Sequence, residues 1–231
     1  MTLPDILSAD RTNEAAALLK KYYTKLYDLG VPQSGSRFDD WAGGGDRPNA
    51  VDTLTADDVL AVSFLCVQVP AQAVIGLLER SAKEVSELLA QIPSALDLAS
   101  VKTEEYEALL GPESAAIGLW RLLRGNGKLW GIGPTTASKI MARKRPRLIP
   151  IFDSVVGPLM GHTTPEGQWK TWHSVLTDGS GLQQRLRSIK TESGIDKDIS
   201  ELRTMDVVLW MHGKEQGMKV IEDPGHDDLA N

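Results

Sequence analysis

Short stretches with helical periodicity, separated by glycine and proline, run through almost the whole chain. Apolar residues recur at helical spacing in each stretch, and Gly or Pro ends most of them. The single run rich in β-branched residues, 148–152, is accompanied by prolines, so we predict an all-α fold. The predicted helices cover 13–29, 56–67, 71–79, 83–91, 104–110, 113–123, 155–160, 168–176, 182–190 and 199–212.

Two of these helices begin with capping signals. Thr55 precedes the helix 56–67, whose first turn carries two aspartates that favour the positive end of the helix dipole. Ser81 and Glu84 have the spacing of a capping box at the start of helix 83–91.

Composition narrows the class of protein. The 231 residues suffice for one large domain or for two small lobes around a shared cleft. No apolar run approaches the roughly 20 residues that span a bilayer, and residues 1–10 do not resemble a secretion signal. The single cysteine, Cys66, lies in an apolar stretch where we expect it to be buried, and it excludes an internal disulfide. We expect a cytoplasmic protein with no membrane partner, no cofactor and no side-chain metal site.

Positive charge is concentrated in one window of an acidic chain. The net charge is −6, yet residues 114–152 contain no Asp or Glu and eight basic residues. Such a window can bind a polyanion locally, although a solvated helix face followed by a basic loop has the same composition. The eight residues are Arg121, Arg124, Lys128, Lys139, Arg143, Lys144, Arg145 and Arg147.

Within this window the pattern indicates a phosphate-binding helix start. Gly131 and Gly133 allow a tight turn, and Pro134 suits the first position of a helix. The free N–H groups of such a first turn, together with the helix dipole, bind anions. The residues predicted to contact DNA phosphates are Gly131, Gly133, Thr135, Thr136, Lys139, Arg143 and Lys144.

Asp153 is the first acid after the window and is the candidate catalytic residue. Its neighbours are apolar, so its carboxyl group is expected to be partly desolvated close to positive charge. The alternative is a structural one, in which Asp153 caps a short helix that begins at Ser154. The two interpretations are compatible, since a cap also holds the carboxylate in place.

The segment 129–153 resembles the helix-hairpin-helix segment of the DNA glycosylase superfamily. In that family a hairpin of the form Leu-Pro-Gly-Val-Gly-x-x-Thr-Ala precedes a helix, and a Val-Pro-Val-Asp segment later supplies the essential acid. Here residues 129–137 match the hairpin, and residues 149–153, which end in Asp153, match the acid-bearing segment. The resemblance implies a two-lobed helical fold with a cleft between the lobes. It divides the chain into an N-terminal helix and Gly-rich loop (1–50), a core (51–212) with the hairpin at 129–145, and a polar tail (213–231).

The resemblance also implies a mechanism. A damaged or modified base of duplex DNA is rotated into a pocket, and the aspartate stabilises the positive charge that develops on the sugar and helps to activate water. Members that also cut the backbone have a lysine where this chain has Thr135, so simple base excision without a lyase step is expected. A monovalent cation bound by the hairpin carbonyls is a further implication.

Phe38 and Trp41 are the candidate pocket residues, because they lie in a Gly-rich loop where exposed rings could stack on a base. The alternative is that the two rings pin this loop to the core. Trp169, Trp172 and His173 are interpreted as core residues. Two other functions stay open: a non-catalytic helix-hairpin-helix DNA-binding module, and a fold reused to bind a small nucleobase-like ligand.

Overall fold

A computed structural model describes residues 3–125 and 130–219 and contains eleven α-helices in these ranges. The all-α prediction is confirmed, since the described residues form no strand and make only one isolated antiparallel bridge. The run 148–152 is buried irregular chain. The helices are α1 (Thr12–Thr24), α2 (Ala56–Ser63), α3 (Ala71–Ile75), α4 (Ala82–Ala90), α5 (Thr103–Leu110), α6 (Ala115–Arg124), α7 (Pro134–Lys144), α8 (Val156–Leu159), α9 (Gln168–Thr177), α10 (Leu182–Ser193) and α11 (Glu201–Glu215).

Helix α7 lies at the centre of the molecule. All its residues from Thr135 to Lys144 are buried, with α2 and α6 packed against it. Such burial is typical of a helix enclosed by a core rather than one that presents a polar face to solvent. Pro134 occupies the first helical position, as predicted.

The N-terminal and C-terminal helices share one core. Helix α1 packs against both α10 and α11, and α11 also contacts α8. Leu19 of α1, Leu186 of α10 and Leu209 of α11 are fully buried in the same apolar cluster. Residues 1–50 therefore contribute to the same hydrophobic core as the C-terminal helices.

The capping signals have different outcomes. Thr55 caps α2 as predicted: its Oγ1 accepts from the N–H of Asp58, and the Asp58 carboxylate accepts from the N–H of Thr55. The Ser81 prediction is wrong, because Ser81 precedes α4 without a side-chain capping bond. There the five residues Gly76–Arg80 form a π-type turn, and the N–H of Ser81 donates to the carbonyl of Gly76.

Helix α1 ends five residues earlier than its periodicity suggested. The chain leaves the helix at Lys25, and residues 25–33 double back on themselves. The N–H of Tyr27 donates to Val31 at 2.8 Å, and the N–H of Gln33 donates to Lys25 at 3.1 Å. Leu29 stands at the tip, fully exposed and with φ +65°. We call residues 25–33 the 25–33 turn.

Among the described helices, none combines the length and apolar character needed to cross a bilayer. Of the predicted polar tail, residues 213–215 belong to α11, and residues 220–231 lie outside the described part of the chain.

Candidate active site

The basic cluster at the end of α7 is internal. Asp58 of α2, which is 0% exposed, accepts from Arg143 Nε at 3.1 Å and from Lys144 Nζ at 3.2 Å. Arg145 is equally buried and forms an ion pair with Asp52 at 2.6 Å. Burial lowers the pKa of Lys144, and the charge of Asp58 opposes this shift. The two ion pairs with Asp58 therefore join α7 to α2 and are shielded from water.

The same cations hold the Gly-rich loop and its surroundings. Arg143 donates to the carbonyls of Asp39 and Trp41, and Lys144 donates to the carbonyls of Gly45 and Ala50. This loop lacks regular backbone pairing, so its buried carbonyls need donors from elsewhere. The fit is close: a Cβ on Gly45 would lie 2.0 Å from the Arg143 carbonyl oxygen. The basic residues thus supply the hydrogen bonds that order the loop.

The side chains predicted to contact phosphates lie in the interior. Thr135, Thr136, Lys139, Arg143 and Lys144 are all buried, so their side chains do not form an open basic surface. Of the two glycines in the turn, Gly131 has φ +65°, whereas Gly133 precedes the first helical residue with φ −78°.

The other members of the basic window are dispersed. Arg121 is exposed, Arg124 lies over the ring of Trp120, and Arg147 pairs with Asp97. Lys128 lies outside the described residues, as does Leu129, the first residue of the hairpin match. The carbonyls of 126–129, part of the expected cation-binding hairpin, are likewise outside them.

The side chain of Asp153 caps the start of α8, which is the structural alternative to a catalytic function. Its Oδ1 accepts from the N–H groups of Val155 at 2.8 Å and Val156 at 2.7 Å, at the start of α8. The residue is 5% exposed. Two backbone donors on one oxygen hold the carboxyl group in a single orientation.

Two polar side chains position the segment that carries Asp153. Ser138 of α7 accepts from the N–H of Phe152 at 3.0 Å and also contacts the Phe152 carbonyl. Gln168 at the start of α9 donates to the Ile151 carbonyl at 2.7 Å. The two residues that precede Asp153 are therefore held by α7 and α9.

Asp153 also lines a cavity of about 100 Å³. This volume is of the same order as the roughly 150 Å³ of an engineered cavity that binds benzene. Four aromatic residues contribute to its walls: Tyr22, Tyr27, Phe64 and Trp210. Its charged lining residues are Lys139, Asp153, Arg203 and Asp206. The cavity thus combines apolar walls with a few convergent polar groups, as is usual for small-molecule sites.

A family model described as a family of unknown function, DUF6308, matches residues 15–213. The chain belongs to this family. No curated protein and no solved structure matches the chain. The matched residues run from α1 into α11 and include every residue that lines the cavity.

In this DUF6308 member the two aromatic residues that were predicted to form the pocket lie outside the cavity. Phe38 is buried in the core and stacks under Arg203, while Trp41 packs edge-to-face on Phe64 with the ring centroids 5.2 Å apart. Neither lines the cavity that contains Asp153, so the alternative, a loop pinned by two rings, describes them. Trp169, Trp172 and His173 are buried, as predicted.

Two further residues line the cavity. The prediction that Cys66 is buried is wrong: it is exposed at the cavity wall, since α2 ends at Ser63 and Cys66 turns the chain with φ +58°. Trp210 of α11 packs partly buried against the core and also lines the cavity. Within the described ranges, no group of three His, Cys, Asp or Glu side chains could hold a metal ion.

Asp206 of α11 is the site residue that the sequence analysis missed. It is 5% exposed and forms an ion pair with Arg203, one turn earlier in α11. Arg203 in turn donates to Asp39 at 2.8 Å and to the hydroxyl of Tyr22 at 3.2 Å. Burial raises the pKa of Asp206 to about 7, against the charge of Arg203 and with a further contribution from the negative charge of Asp153. The site therefore holds two carboxyl groups in different environments.

Proposed function

We propose that this protein hydrolyses the N-glycosidic bond of a modified or damaged nucleotide in DNA, without a lyase step. The observation that carries the proposal is Asp153, whose carboxylate is fixed by two backbone amides at the wall of an aromatic-lined cavity. A positioned, ionised carboxylate is what stabilises an oxocarbenium-like transition state. The resemblance of residues 129–153 to the glycosylase segment supports the same assignment.

In this mechanism the flipped base enters the cavity and contacts the rings of Tyr27, Phe64 and Trp210. As the bond between the sugar C1′ and the base nitrogen breaks, its electron pair goes to the base. Asp153 stabilises the positive charge on the sugar and accepts a proton from the water that attacks C1′. Thr135, which is buried, occupies the position of the family's lysine, so no amine attacks the sugar from there.

The 25–33 turn favours a duplex as the substrate. Tyr27 and Gln33 line the cavity, which places this turn at its rim, and Leu29 projects from the tip. Apolar side chains inserted between base steps are a common means of unstacking DNA. Leu29 is therefore our candidate for the side chain that fills the gap left by the flipped base.

Replacing Asp153 with asparagine is expected to slow base release by about 100-fold or more, since the transition-state charge loses its counterion. Asparagine keeps the oxygen that accepts from Val155 and Val156, so the fold should persist. The measurement is base release from a panel of duplexes, each with one modified base. The matched control is Asp178→Asn, since Asp178 also accepts a backbone N–H but lies on the surface. A panel left intact by the wild-type protein, or cleaved equally by Asp153→Asn, rejects the proposal.

Replacing Leu29 with alanine is expected to slow release from a duplex by about 10-fold while leaving thermal stability unchanged, because the side chain is fully exposed. Release of the same base from a single-stranded oligonucleotide should change little. Ile75→Ala is the control, since Ile75 is an exposed aliphatic residue that does not line the cavity. Equal loss on both substrates would contradict a wedge function.

A second candidate function is the binding of a free nucleobase-like ligand. It is favoured by the burial of Lys139, Arg143 and Lys144, which leaves the expected phosphate contacts without those cations. Cys66 is the chain's single cysteine and lines the cavity, so its alkylation reports on occupancy. Protection of Cys66 by free nucleobases, with every duplex left intact, would favour this function over hydrolysis.

A further inference from the structure

Asp206 has two oxygens in contrasting positions. Its Oδ2 is bound by the Arg203 guanidinium, whereas its Oδ1 is buried and has no hydrogen-bond partner among the described residues. A buried polar atom without a partner costs free energy unless something binds it. Because Asp206 lines the same cavity as Asp153, a ligand in that cavity can supply the missing partner.

The surroundings of Asp206 determine where its proton would be. The charges that act on it are those of Arg203 on its own helix, Asp39 of the Gly-rich loop and Asp153. The other titratable residues of the cavity are Tyr22, Tyr27, Cys66 and Lys139. Burial is the largest influence and favours the neutral acid, with a pKa of about 7. Since Oδ2 accepts from Arg203, the proton of the neutral acid belongs on Oδ1.

The cavity therefore presents one carboxylate fixed by amide donors and one carboxyl group that readily holds a proton. Two carboxyl groups in contrasting environments commonly divide into a charged partner and an acid in glycosidic bond hydrolysis. Asp153 and Asp206 fit these two functions, since the first accepts two N–H groups and the second has an unpartnered oxygen.

We propose that Asp206 is the general acid that protonates the departing base, an inference that rests on the proposed hydrolysis. The bond between C1′ and the base nitrogen breaks with its electron pair on the base, and Oδ1–H of Asp206 gives its proton to that base. Water adds to C1′ and gives one proton to Asp153. Transfer of that proton from Asp153 to Asp206 through solvent restores both groups, so the net reaction consumes one water.

The test compares bases that need a proton to leave with bases that do not. A neutral modified base needs one, whereas 7-methylguanine is already cationic in DNA and leaves as a neutral molecule. With Asp206→Asn, release of a neutral base is expected to slow by about 100-fold, and release of 7-methylguanine to change less than about 3-fold. In the wild-type protein, release of the neutral base should decline above about pH 7, and this decline should be absent from Asp206→Asn.

Asp97→Asn is the matched control. Asp97 also binds an arginine, Arg147, but it neither lines the cavity nor acts on Asp206, so the ratio of the two rates should stay at the wild-type value. The inference is overturned if Asp206→Asn slows release of both bases equally, or if the decline with pH persists in this variant. The proposed hydrolysis still stands in either case if Asp153→Asn loses activity. A wild-type protein that releases cationic bases but no neutral base also overturns the inference. A wild-type protein that releases neither class rejects both proposals.

Discussion

Replacing Asp58 with alanine is expected to lower the free energy of unfolding by about 3 to 5 kcal/mol, since it leaves two buried cations without their counterion. Arg143 and Lys144 both bind this carboxylate, and their side chains are almost completely buried. Asp58 also accepts from the N–H of Thr55, so the substitution removes half of the capping box of α2. A loss of this size approaches the lower end of the stability range of an ordinary domain, about 5 to 15 kcal/mol.

The neighbouring residue provides the control for this substitution. Asp57 is half-exposed and forms one ion pair with Arg47 at 3.5 Å, so Asp57→Ala should cost less than about 1 kcal/mol. Urea unfolding followed by circular dichroism measures both variants. The effect of Asp58→Ala should persist in 1 M salt, because a buried pair is screened far less than a surface pair. Equal stability of the two variants would show that the cluster does not hold the fold.

The free energy of unfolding of the wild-type protein, minus that of Asp206→Asn, is expected to fall by about 3 to 4 kcal/mol as the pH rises from 4 to 8. Burial raises the pKa of Asp206 from 3.8 to about 7 in the folded protein. Between these values the folded chain keeps a proton that the unfolded chain has released, so stability is lost as the pH rises towards 7. Above about pH 7 both states are ionised and the loss is complete. Asparagine has no proton to lose, so the variant lacks this contribution.

Unfolding free energies of both proteins at several pH values measure this difference directly. Subtracting one curve from the other removes the contributions of groups that the substitution leaves unaltered. A difference that stays constant from pH 4 to pH 8 would mean that Asp206 is ionised over this whole range and has no proton to donate. The measurement does not depend on activity, so it tests the state of Asp206 separately from the proposed reaction.

Local signals predicted much of the helical framework. Thr55 and Asp58 form the expected cap, Pro134 begins α7, and the predicted helices 104–110 and 168–176 agree with α5 and α9 to within a residue at each end. The errors occur where the chain turns sharply, which apolar periodicity does not indicate. The 25–33 turn replaces the last part of a predicted helix through its own backbone pairing, and Cys66 leaves α2 in a left-handed turn.

The candidate site was predictable only in part. Asp153 could be singled out because it ends a long basic window and follows an apolar segment. Asp206 had no such signal, since an acid within a helix is ordinarily solvent-exposed. Its partner Arg203 also binds Tyr22 and Asp39, which lie more than 160 positions away in the sequence, and only folding brings them together.

The amino-acid sequence alone determined the helical class, several helix starts and the position of one notable carboxylate, because caps, prolines and periodicity act over a few residues. The tertiary structure alone decided what the basic window does. A run of lysines and arginines has the same composition whether it faces water or the interior. Arg143 and Lys144 face the interior because Asp58, 85 and 86 residues earlier, and the carbonyls of the Gly-rich loop provide their partners there.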